Sequence, residues 1–142
     1  MTTLFATPTA PMHQTFSVSR GRAGFIALWL TQIAVAGMFL LAGGLKLTGA
    51  PEMVALFDAI GVGQWLRYLT GSIEVVSGAA LLVPSLAPFG ALVLVPTMAG
   101  AIATHLFIVG GSAVPATGLL IGSLAIAWAR RDQLAGALSR LR

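Results

Sequence analysis

The chain has no cysteine, two histidines, four carboxylate side chains and eight Lys or Arg among its 142 residues. Without cysteine it builds no disulfide, thiol redox centre, thiolate metal site or iron–sulfur cluster of its own. Its histidines, His13 and His105, do not offer a facing pair of haem ligands, because His13 lies in the N-terminal tail. No metal site is therefore expected. Any redox work would need a partner subunit or a dissolved carrier.

Charge is scarce too. Charged residues make up 8% of the chain and hydrophobic ones 57%, with a mean hydropathy of +0.93. A soluble domain carries about a quarter charged residues, so this chain cannot cover a water-facing surface. It reads as an integral membrane protein of one domain. The net charge of +4 does not point to nucleic acid. The basic residues Arg20, Arg22, Arg67, Arg130, Arg131, Arg140 and Arg142 sit at the ends of apolar runs, a placement that sets topology rather than tracking phosphates. The expected partner is membrane lipid, not nucleic acid.

Four stretches are apolar and long enough to predict spanning helices, which need about 20 residues with every backbone group paired. They cover about 24–45, 66–83, 89–109 and 115–129. The predicted fold is thus all-α, a bundle of four transmembrane helices over residues 23–131. Residues 1–22, rich in Thr, Ser and Pro, lack the apolar core of a cleaved signal peptide and read as a disordered cytoplasmic tail. The first span then acts as an uncleaved anchor, and residues 132–142 form a basic cytoplasmic tail. Six of the eight basic residues lie in the tails, so the positive-inside rule places both termini in the cytoplasm of a cell inner or plasma membrane.

The 46–67 connection then lies outside. Within it, PEMVALFDAIG has Pro51 for a first helical turn and Gly61 for a stop. Met53, Leu56, Phe57 and Ile60 fall on one face at helical spacing, which predicts a short amphipathic helix along the membrane surface.

Each span has a small or polar face, expected to point into the bundle. Span one has Gln32, Ala36, Gly43 and Lys46; span two has Gly71, Glu74, Ser77 and Gly78. Span three has Gly90, Thr97, Gly100, Ala101, Thr104 and His105, and span four has Gly118, Gly122 and Ala125. At about 1.5 Å per residue, Glu74 lies roughly 10 Å below an outer boundary at Arg67, and His105 roughly 8 Å below one at Gly110. Lys46, Glu74 and His105 are thus expected to form a polar cluster in the outer half of the bundle. Two uses stay open for it: a pocket that binds a headgroup or relays protons, or an ion-paired pin that fixes helix register. Gln32, Thr97 and Thr104 are read as secondary pocket or interhelical polar groups, with interhelical hydrogen bonding preferred over ligand binding. Pro96 is expected to kink span three and free a carbonyl for a threonine or water. The GxxxG from Gly118 to Gly122 suits either a homodimer contact or burial within the bundle.

The run FLLAGGLKLTGAPEMVALFDAIGVGQWLRYLTGSIEVVSGAALLVP, followed by GALVLVPTMAGAIATH, resembles the DoxX family, in its DoxX-like branch. The likeness covers Phe39 to His105 and includes Lys46, Pro51, Glu74 and His105 in that order. It implies a four-span membrane protein associated with respiratory or sulfur-compound redox complexes, and hence a quinone as carrier and a redox partner subunit. No self-contained catalytic motif is present, so enzyme activity is expected at most as a subunit of a quinone-linked oxidoreductase. A non-enzymatic scaffold or stress-response protein is the alternative, and a small transporter a third. One departure from the family pattern is the turn PSLAPFG, which carries no basic residue.

Overall fold

A computed structural model describes residues 21–139. The expected N-terminal tail, apart from its last two residues, and the final three residues lie outside the described region. Among the described residues all regular structure is helical: α1 (Arg22–Thr48), α2 (Pro51–Ile60), α3 (Trp65–Leu81), α4 (Ala87–Thr104), α5 (Val114–Ala129) and α6 (Arg131–Ser139). A wider π turn, His105–Val109, continues α4.

Helices α1, α3, α4 and α5 lie over the four apolar stretches. By length and composition, α1 and the continuous segment Ala87–Val109 are long and apolar enough to cross a membrane, and α5 is a shorter apolar helix. The start of the C-terminal tail is itself helical, as α6. Helix α2 begins at Pro51 and stops at Gly61, whose φ of 77° is the left-handed conformation of a glycine C-cap.

The long helices pack in a ring: α1 touches α3 and α5, and α4 touches the same two. Ala36, Phe39, Leu81, Ala91, Leu94 and Ile126, drawn from all four, are fully buried at its centre. Small residues set the spacing. A Cβ on Gly43 would lie 2.8 Å from the Gly71 carbonyl oxygen, and one on Gly122 would lie 2.6 Å from Val35 Cγ2. Gly118, by contrast, has nothing within 4 Å of a Cβ position. The GxxxG is therefore split, one glycine spent on α1 and the other facing outward.

The outer surface is apolar. Phe25, Leu30, Val76, Phe107, Ile121 and Trp128 are all more than half exposed. A water-soluble protein does not leave so many large apolar side chains over its whole perimeter; a hydrocarbon-facing one does.

Candidate functional site

The close approach of α1 and α3 positions the first two polar residues. Gly43 and Lys46 are three apart on α1, as Gly71 and Glu74 are on α3. The two helices run antiparallel, so Gly43 faces Glu74 and Gly71 faces Lys46; each glycine makes room for the charged residue opposite, and the lysine reaches along the contact to the carboxylate. Lys46 Nζ lies 2.7 Å from Glu74 Oε2. Both side chains are largely buried, at 14% and 4% exposure. Of the expected cluster, Lys46 and Glu74 are paired.

His105 lines the same cavity, from the π turn that follows α4, but does not join the pair. Its Nδ1 lies 3.2 Å from the Gly110 carbonyl oxygen. The cavity measures about 320 Å³, at the small end of the range typical of ligand pockets. Its roof is α2, which contributes Leu56, Phe57 and Ile60. Three of the four residues expected on one apolar face thus cover the cavity, and Phe57 is buried there.

Thr97 and Thr104 also line the cavity, yet neither bonds another helix. Thr97 Oγ1 donates to the Val93 carbonyl and Thr104 Oγ1 to the Gly100 carbonyl, each at 2.9 Å. The expectation of interhelical bonds fails for them, because a helical threonine satisfies its hydroxyl most simply on the carbonyl four residues back. Thr97 also misses the carbonyl that Pro96 releases, which belongs to Leu92, one residue earlier.

Gln32 does bridge helices, but at the far end of the ring. Fourteen residues before Lys46 on α1, it lies roughly 20 Å away along the helix. It is fully buried, donates from Nε2 to the Leu81 carbonyl, and accepts from Arg130 Nε at 2.9 Å.

Two buried arginines were read from sequence as interfacial flanks. Arg67 is 4% exposed. It donates to the Lys46 carbonyl at the end of α1 and to Gln64 Oε1, and it stacks on Tyr68 at 4.2 Å from the ring centre. Gln64 in turn donates to the Val54 carbonyl at 3.0 Å and to Asp58 Oδ1 at 2.7 Å. Arg67 and Gln64 thereby tie the ends of α1, α2 and α3 together above the cavity. Arg130 is 6% exposed and clasps Gln32, while its neighbour Arg131 stays exposed and stacks on Trp128 at 4.6 Å. Gln32 was the available signal: a fully apolar neighbourhood around an amide requires a polar partner, and Arg130 supplies it.

Among the described residues no group of three or more His, Cys, Asp or Glu is placed to hold a metal ion. What the cavity offers chemically is an apolar chamber with one ion pair on one wall and one imidazole on the other.

Long apolar helices, an apolar perimeter and a partly polar internal cavity define an all-helical membrane protein. The chain belongs to the DoxX-like family, whose sequence profile matches residues 30–137. No curated protein and no solved structure matches it.

Proposed function

We propose that this DoxX-like protein spans the inner or plasma membrane four times, through α1, α3, α4 and α5, with both termini in the cytoplasm. It acts there as an accessory or anchor subunit of a quinone-linked redox assembly, with the cavity under α2 holding the quinone headgroup. The single observation that carries the reading is the cavity itself, an apolar chamber walled by Leu66 and Ile73 and bearing Lys46, Glu74 and His105.

Helices α3 and α5, of 17 and 16 residues, reach only roughly 25 Å at about 1.5 Å per residue, slightly short of a hydrocarbon core. Trp65 and Tyr68 at the start of α3, and Trp128 at the end of α5, are exposed aromatic residues suited to the two interfaces. A local thinning of the bilayer accommodates the rest. Helix α2 then rests at the outer interface, with Glu52 and Asp58 exposed to water.

A quinone headgroup fits the residues present. Its flat ring suits the apolar walls, and Lys46 has N–H donors beyond the one given to Glu74, as a quinone oxygen requires. A bound quinone would supply two-electron, two-proton carrier chemistry. Its electrons would be exchanged with a partner dehydrogenase subunit, and Glu74 and His105 are the groups of this chain that would hold or exchange its protons.

Affinity purification from native membranes in mild detergent tests the proposal, with mass spectrometry of co-eluting proteins and extracted lipids. A dehydrogenase or sulfur-metabolising subunit, together with a quinone, is expected. Recovery of the chain with phospholipid alone would favour a second reading, in which the protein is a non-enzymatic scaffold. One observation favours that alternative: Glu74 is already paired at 2.7 Å, as a register pin would be.

A further inference from the structure

The segment after Thr104 is built to hold one imidazole in one state. The chain leaves regular α-helix at His105, runs through the π turn, and ends at Gly110 with φ 70° and ψ −166°, a conformation essentially restricted to glycine. Gly111 follows with φ 86°. This turn brings the Gly110 carbonyl back to the His105 ring, 3.2 Å from Nδ1. A carbonyl oxygen only accepts, so in the neutral imidazole Nδ1 carries the hydrogen and Nε2 carries the lone pair. In its neutral form His105, which lines the cavity, therefore offers a ligand an acceptor at Nε2.

The other polar groups divide differently. The Thr97 and Thr104 hydroxyls give their hydrogens to their own helix. Lys46 has only donors. At the Lys46 wall a ligand accepts from the ammonium or donates to the Glu74 carboxylate beside it; at the His105 wall it must donate. A quinone, whose two ring oxygens both only accept, satisfies the first requirement and meets a lone pair at the second. A hydroquinone satisfies both, because each hydroxyl donates and accepts.

We propose that the cavity selects the hydroxyl-bearing, reduced form of its lipid-soluble ligand, with His105 Nε2 accepting from the ring hydroxyl and serving as the specificity-determining group. This rests on the quinone reading above and adds the redox state that the site prefers.

A matched pair of probes tests it. Decyl-hydroquinone, kept reduced under anaerobic conditions, and the corresponding decyl-quinone are titrated into the purified full-length protein in phospholipid nanodiscs. One added hydrogen bond to a neutral acceptor corresponds to about a three- to tenfold preference for the hydroquinone. His105→Phe abolishes that preference, whereas His105→Gln, whose amide offers an oxygen acceptor and an NH2 donor, only narrows it. Equal binding of the two probes by the native protein, or tighter binding of the quinone, overturns the inference while leaving the quinone site intact. Binding of neither probe overturns the quinone reading and the inference with it. The comparison on native protein tests the preference for the reduced form even if His105→Phe does not fold, and the His105 variants assign that preference to the imidazole rather than to Glu74.

Discussion

Lys46 Nζ and Glu74 Oε2 stand 2.7 Å apart, joining the last turn of α1 to the middle of α3 across a contact that only glycine permits. The contact comes first and the ion pair follows from it. Gly43 and Gly71 let the helices close, and the two charges, each packed opposite the other helix's glycine, meet across the contact largely out of water. Cation and carboxylate stabilise each other there, and loss of either leaves the other buried and alone.

Glu74→Leu is accordingly expected to destabilise the protein by about 3–5 kcal/mol, the range for breaking a buried pair. Glu74→Gln keeps an acceptor for Lys46 and loses less. The double change Lys46→Met with Glu74→Leu removes both charges and recovers most of the loss. Thermal unfolding in one detergent orders the three variants; equal tolerance of Glu74→Leu and Glu74→Gln would argue against a buried pair.

The glycines give a sharper contrast. Gly43→Ala drives a methyl group to 2.8 Å from the Gly71 backbone oxygen and is expected to cost about 1–3 kcal/mol, as overpacking does. Gly118→Ala meets nothing within 4 Å and should change stability by less than about 1 kcal/mol. The same melting assay separates them.

At the opposite end of the ring, Arg130→Met leaves the buried Gln32 carbonyl oxygen without its 2.9 Å donor, a loss of about 1–3 kcal/mol. Arg131→Met, next in sequence but exposed, should stay within about 0.5 kcal/mol. Similar effects at the two positions would contradict the split between a clasping arginine and a surface one.

Gln64→Ala removes both side-chain bonds from α3 to α2, at Val54 and Asp58. Hydrogen exchange across 51–61 is then expected to accelerate while exchange in α3 stays near its native rate. Unchanged protection in α2 would show that apolar contacts alone hold the roof.

The absence of cysteine makes topology directly testable. Single cysteines at Asp58 and Ser112 should react with a membrane-impermeant maleimide added outside intact cells. One at Ser85 should react only after permeabilisation. Labelling of Ser85 from outside would rule out the orientation with both termini in the cytoplasm.

Much of this was legible from residue type and spacing. Pro51 and Gly61 bracket α2 because proline fits a first helical turn and glycine a left-handed cap, and both signals are local. Lys46, Glu74 and His105 could be placed near one cavity because helical periodicity and rise are fixed. The threonines could not be assigned from sequence, since a hydroxyl on a helix chooses between its own carbonyls and a neighbour only once the neighbour's distance is set. Arg67 and Arg130 misled for a related reason: a basic residue beside an interface can reach outward or fold inward, and the decision rests on carbonyls contributed by other helices. The π turn left no periodic trace in HLFIVGG beyond its two glycines.

The central claim, that the cavity beneath α2 holds a quinone, is tested most directly by quantifying quinone bound to protein purified from native membranes. The native protein is compared with Gly100→Trp, a variant whose indole fills the cavity from α4. The account predicts quinone in stoichiometric amount with the native chain and its loss from a folded Gly100→Trp variant. Phospholipid alone in both preparations would contradict it, and the Lys46–Glu74 pair would then be explained by folding alone.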